Sequence, residues 1–131
     1  FSSREEAELL LRKAIKINPN YANAYHNLGT ILSDLGNLEE AEKLFQKAIK
    51  LNPNNSNSYH NLGTILKDLG KIDQAILNYE KSIRLKPDQR SSYTSLGVLL
   101  LIKGHYKNGL KMLRKGDGTI SFHLKNGVSL N

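Results

Sequence analysis

The octapeptide YHNLGTIL occurs twice, from Tyr25 to Leu32 and again from Tyr59 to Leu66, 34 residues later. An echo at a fixed period of about 20 to 50 residues marks a repeat array, in which each unit is one supersecondary element that buries its apolar face against its neighbours. The same period sets the punctuation. AIKINPN (14–20), AIKLNPN (48–54) and SIRLKPD (82–88) place Pro19, Pro53 and Pro87 34 residues apart. Proline disfavours helical geometry in the residue before it, so each one ends a unit. Gly36, Gly70 and Gly104 supply a second break inside each unit, where glycine takes the left-handed conformation that closes a helix.

Each unit is therefore two short helices and two turns. The spacing predicts first helices over 22–35, 56–69 and 90–103, and second helices over 3–17, 38–51, 72–85 and 106–115. At about 100° per residue, Tyr25, Leu28, Gly29 and Leu32 share one side of a first helix, with Ile31 and Leu35 at its edge. The other side collects Asn23, His26, Asn27, Thr30, Ser33 and Asp34. The second helices carry the matching stripe: Leu38, Ala41, Leu44, Phe45 and Ala48, then Ile72, Ala75, Ile76, Tyr79 and Ile83. Gly29, Ala41 and Ala48 are small where helix axes must approach closely.

The residues at these positions resemble the tetratricopeptide repeat, with its aromatic, Leu-Gly, Ala, aromatic, Ala and Pro signature. Tyr25, Leu28, Gly29, Ala41, Phe45, Ala48 and Pro53 match in one unit, and Tyr59, Leu62, Gly63, Ala75, Tyr79, Ser82 and Pro87 in the next. Ala7, Leu11, Ala14 and Pro19 form a half repeat before them. Tyr93, Leu96 and Gly97 begin another that degenerates at Gly109, Gly116 and Ser121. The expected array occupies 1–115, as a half repeat 1–19, full repeats 22–55 and 56–89, and a degenerate repeat 90–115. The resemblance implies an all-α right-handed superhelix whose first helices line a concave groove, acting as a protein-protein interaction module that binds a protein or peptide ligand.

Composition agrees with that reading. With 39% apolar and 24% charged residues the chain has the balance of one globular domain. It has no cysteine, which removes disulfides and thiolate metal sites and suits a reducing compartment. No apolar run approaches the roughly 20 residues that span a bilayer, and no charged-then-apolar leader opens the chain. The expectation is a soluble, cytoplasmic protein with no membrane contact.

Packing accounts for Tyr, Leu, Gly and Ile in the octapeptide, and leaves its polar residues as groove candidates. The predicted peptide-binding set is Asn23, His26, Asn27, Thr30 and Asp34 in one repeat, with Asn57, His60, Asn61, Thr64, Lys67 and Asp68 in the next. Asparagine is a mediocre helix former, so its mid-helix recurrence at 27 and 61 is the strongest of these signals. Asn at that groove position is similar to the ladder in the repeat domain of O-linked sugar transferases. This opens a second reading, a non-catalytic repeat segment of a larger enzyme such as a glycosyltransferase or methyltransferase. A third is a self-assembly scaffold, a homo-oligomer formed through Leu10, Leu11, Ala14 and Ile15 of the N-terminal half repeat.

No catalytic residues, metal or cofactor are expected. His26 and His60 sit one repeat apart, about 10 Å, too far to share an ion with bonds of about 2 Å. There is no nucleophile-base order and no glycine-rich phosphate loop. Relatives that clamp acidic chain ends need Lys or Arg where His26, Asn27, His60, Asn61, Thr94 and Ser95 stand here, so such a clamp is disfavoured.

The net charge of +7 lies entirely beyond residue 53. Lys103, Lys107, Lys111, Arg114 and Lys115 cluster at the last helix pair, but only Tyr106 interleaves an aromatic, so nucleic-acid binding is not expected. The extension 116–131 departs from the repeat. Ile120, Phe122 and Leu124 alternate with polar residues as in a strand, and a turn at Lys125, Asn126 and Gly127 pairs Leu124 with Val128 in a β-hairpin. Its apolar face either packs on Val98, Leu101 and Ile102 of the last repeat or begins a further domain.

Overall fold

Glycine and proline divide the chain into helices at the expected places. The computed structural model describes residues 2–117. Seven helices follow in order: α1 (Ser3–Ile17), α2 (Ala22–Asp34), α3 (Leu38–Leu51), α4 (Ser56–Asp68), α5 (Ile72–Leu85), α6 (Arg90–Ile102) and α7 (Tyr106–Gly116). Every helix end lies within one residue of its expected position, and all regular structure among the described residues is helical. The expected hairpin over 116–131 lies outside the described residues, apart from Gly116, which extends α7, and Asp117, its C-cap.

Gly36, Gly70 and Gly104 close α2, α4 and α6 with φ of 82°, 80° and 84°. After each, the next N–H reaches back over the turn, Asn37 to the Leu32 carbonyl, Lys71 to Leu66 and His105 to Leu100, each at 2.8 Å. This six-to-one bond satisfies a carbonyl that the helix end would orphan.

Each helix packs on its chain neighbours, and α2 also touches α4. The core runs along the helix pairs as Leu28, Leu32, Ala41 and Phe45, then Leu62, Leu66, Ala75 and Tyr79, then Leu96 and Leu99. Full burial of such an apolar side chain stabilises by about 1.5–3 kcal/mol, and the stripes have no other means of leaving water. Repeating surface contacts accompany the stacking. Lys47, Lys81 and Lys115 each lie over a tyrosine ring of the paired first helix, 5.6 to 6.0 Å from its centroid. Ion pairs join successive second helices or their turns, with Arg12 to Glu40 at 3.0 Å, Lys71 to Glu42 at 2.9 Å and Lys103 to Asp73 at 3.1 Å.

α1 and the α6–α7 pair complete the packing. Leu11 and Ile15 of α1 pack against the core on one side and stay half-buried, while Leu9 and Leu10 are exposed at 47% and 57%. The stripe of α1 turns toward α2, which draws those two side chains in. The degeneracy at Gly109 and Gly116 is close packing: a Cβ on Gly109 would lie 3.0 Å from the Gly97 carbonyl oxygen, and one on Gly116 would run into Thr94. Leu101 packs toward Gly109, whereas Val98 and Ile102 are exposed.

Candidate functional site

The first helices α2 and α4 present one polar side, because their apolar stripe is consumed by α3 and α5, whereas α6 exposes Val98 and Ile102 on its free side. Asn23, Asn27, Thr30 and Asp34 are exposed there on α2, as are Asn57, Lys67 and Asp68 on α4, while His26, His60, Asn61 and Thr64 are half-buried.

The histidines bolt one repeat to the next. His26 Nδ1 lies 2.8 Å from Ser58 Oγ, and His60 Nδ1 lies 2.8 Å from Ser92 Oγ. Each ring also meets the aromatic of its own second helix edge-on, His26 with Phe45 at 5.5 Å and His60 with Tyr79 at 5.3 Å between centroids. Ser92 continues into a buried hydroxyl chain through Ser82 and Ser56, at 3.1 and 3.0 Å, closed by the Gln89 side chain 2.6 Å from Ser56. Buried hydroxyls of this kind stabilise only when partnered, and here each one is.

Burial pushes the pKa of both rings below the usual 6.5, and for His60 the charge of Lys67 acts in the same direction. The unfolded chain therefore binds protons more readily than the fold. The contribution is fully present above pH 6.5 and is lost as pH falls through the lowered folded values. Urea unfolding at pH 7.5 and 5.5 should show the wild type losing more stability than a His26→Gln, His60→Gln double variant. Equal losses would remove the histidines from the pH dependence.

The threonines differ between repeats. Both donate to a carbonyl one turn back, Thr30 to His26 at 3.1 Å and Thr64 to His60 at 3.2 Å. Thr64 Oγ1 also lies 2.8 Å from the Tyr79 hydroxyl, which Phe45 cannot supply to Thr30. A hollow of about 260 Å³ opens between α2 and α4 with Phe45 as its floor. Thr30, Ser33 and Asp34 form one wall, and His60, Asn61 and Thr64 the other.

The hollow unites Thr30, Asp34, His60, Asn61 and Thr64 of the expected site. Asn23, His26, Asn27 and Asn57 lie along the same helices outside it, and Lys67 and Asp68 turn to each other at 3.8 Å. Phe45, Ser33, Ser58 and Ser92 were not among the expected residues. The recurrence of a serine 32 residues after each histidine, at 58 and 92, is the signal that points to two of them. The side-chain amides of Asn27 and Asn61, unlike the histidines and threonines, hydrogen-bond to nothing among the described residues.

Of the basic cluster, Lys103 is paired with Asp73 and Lys115 sits over Tyr93, so its charge is partly engaged. The described residues hold no group of three or more metal-ligating side chains, and none of their helices is long and apolar enough to cross a membrane.

The tetratricopeptide repeat model matches residues 5–54 and 20–88. A crystal structure of MamA is similar at 29% identity and a TM-score of 0.84, covering 93% of this chain and 71% of that one. A second crystal structure of MamA protein gives 28% identity and a TM-score of 0.82, over 98% and 70% of the two chains. A structure of MamA MSR-1 C2, at 23% identity and a TM-score of 0.75 over 88% and 66%, shares the fold. No curated protein sequence matches.

Proposed function

The chain belongs to the tetratricopeptide repeat family, and from that premise we infer that it is a protein-interaction module whose first-helix face binds an extended segment of a partner polypeptide. The observation that carries this reading is the pair of uncommitted amides at Asn27 and Asn61, one helical repeat apart on the polar side. Each offers a carbonyl acceptor and an NH2 donor, which match the N–H and C=O of a peptide unit whatever its side chain. Successive repeats step by about 10 Å and an extended chain advances about 3.3 Å per residue, so each asparagine meets roughly every third ligand residue. A cysteine-free chain suits work in a reducing compartment such as the cytoplasm.

A hydrogen bond contributes about 0.5–1.5 kcal/mol net, so two such pairs fall short of the roughly −8 kcal/mol of micromolar binding. Asn23, Thr30, Asp34, Asn57, His60 and Thr64 supply the remaining contacts. The test is Asn27→Ala with Asn61→Ala, assayed by calorimetry against a peptide identified from a captured partner. Affinity should fall tenfold or more, about 1.4 kcal/mol, with the circular dichroism spectrum unchanged. Undiminished affinity would reduce the repeated asparagine to a solvated face copied with its repeat.

A second reading, self-association through α1, is favoured by one comparison. Ala7, Leu11 and Ala14 are half-buried, whereas their counterparts Ala41, Phe45 and Ala48 are at most 2% exposed. Leu10 lies beside them, 57% exposed. Light scattering should show a dimer at high micromolar concentration that Leu10→Glu dissociates. A monomer at that concentration would eliminate this reading.

A further inference from the structure

Two successive first-helix steps are built from the same positions but are lined differently. Between α2 and α4 the hollow lies over Phe45, and the carboxylate of Asp34 at its wall has no hydrogen-bond or ion-pair partner among the described residues. Between α4 and α6 the corresponding positions are occupied or neutralised. The Tyr79 hydroxyl reaches Thr64 at 2.8 Å, Asp68 is paired with Lys67 at 3.8 Å, and Val98 stands where the first step has Thr64.

We propose that the hollow between α2 and α4 is the specificity site of this face and takes the cationic side chain of an arginine in the bound polypeptide. The proposal rests on the reading of this face as a polypeptide-binding surface and adds what that surface selects. At about 260 Å³ the hollow admits one long side chain, below the roughly 300–1,000 Å³ typical of small-molecule sites. Its chemistry chooses among side chains. Phe45 is 1% exposed, so an apolar side chain would gain little from the floor of the hollow while leaving Asp34 unpaired. An acidic side chain would meet the same carboxylate as a like charge. A guanidinium has five donors in a planar fork, and the wall sets out acceptors for them: the Asp34 carboxylate, the Thr30 and Ser33 hydroxyls and the Asn61 carbonyl.

Lys67, whose charge reaches His60, is the opposing charge at this hollow. The excess of +7 lies beyond residue 53, and the nearest cation of that excess on this face, Lys67, is paired with Asp68. Burial lowers the pKa of His60 on the opposite wall, which disfavours a positive charge there.

The experiment titrates the ¹⁵N-labelled full chain with three blocked hexapeptides that differ only at one central residue, arginine, leucine or glutamate in a glycine-serine background. The arginine peptide should shift amides of α2 and α4 and bind at least tenfold more tightly than the other two. Asp34→Asn should abolish that preference, as should Phe45→Tyr, which installs the hydroxyl that reaches the threonine in the second step. Asn27→Ala, outside the hollow, should weaken all three peptides alike and leave their ratio unchanged. Equal affinity for the three peptides, with first-helix amides still shifting, would overturn the arginine site and leave the binding face standing. An absence of first-helix shifts with every peptide at millimolar concentration would overturn both.

Discussion

Tyr79→Ala is expected to lower the unfolding free energy by about 3–5 kcal/mol, as removal of a large buried aromatic side chain does. Tyr79 is 0% exposed and sits at the middle of the stack. Its ring carbons lie 3.0 Å from where a Cβ on Gly63 would be, so the ring fills the space that the glycine leaves. It also meets His60 edge-on, and its hydroxyl is 2.8 Å from Thr64 Oγ1. Truncation opens a cavity between α4 and α5 and frees the imidazole that reaches Ser92, so the damage passes into α6. Against a total stability of about 5–15 kcal/mol for a domain, this removes a large fraction. Tyr79→Phe separates the parts. It retains the ring and deletes one hydrogen bond, with an expected cost of about 0.5–1.5 kcal/mol. Thr64 keeps its bond to the His60 carbonyl at 3.2 Å, so no buried donor is stranded. Chemical unfolding that finds Tyr79→Ala within about 1 kcal/mol of wild type would contradict the packing of the aromatic against glycine.

The helices were legible because period, proline and glycine are local signals that agree. Pro19, Pro53 and Pro87 together with Gly36, Gly70 and Gly104 bound every turn, and the burial of Leu28, Leu62 and Phe45 follows from helical periodicity alone. Pairing between repeats was not legible at that level. His26 and His60 read as groove side chains because each serine partner lies 32 residues away on the next first helix, and helical periodicity does not relate residues on different helices. The hollow at Asp34 was hidden for a related reason. It depends on the difference between Phe45 and Tyr79, which one aromatic position in a repeat signature treats as equivalent. The packing of Leu11 and Ile15 on the core was not specified either, since an amphipathic stripe states that a face is buried without saying by which neighbour.

The last helix pair gives the sharpest contrast between repeat consensus and geometry. Gly109 occupies the position held by Ala41 and Ala75, so consensus favours Gly109→Ala, and helix propensity alone would add about 1 kcal/mol. The structure predicts the reverse. A Cβ on Gly109 would lie 2.8 Å from Leu101 Cδ2 and 3.0 Å from the Gly97 carbonyl oxygen. From the other helix, a Cβ on Gly97 would lie 2.9 Å from the Gly109 carbonyl oxygen and 2.8 Å from Leu113 Cγ. A leucine tip can rotate away, but a main-chain carbonyl moves only if its helix moves. Gly97→Val, with two further methyl groups and a restricted χ1, is therefore expected to cost about 3 kcal/mol, the upper end of the usual overpacking range. Gly109→Ala should be net destabilising despite its propensity gain. The manner of failure is also specified. In a repeat array stability is close to a sum of units and nearest-neighbour interfaces, so a defect between α6 and α7 can release that pair while α2 to α5 remain folded. Hydrogen exchange on Gly97→Val should lose protection in α6 and α7 first, in contrast to the loss across the stack expected for Tyr79→Ala. Unaltered protection in the last pair would mean that the two helices can separate enough to admit a side chain, and that Gly97 and Gly109 do not set their distance.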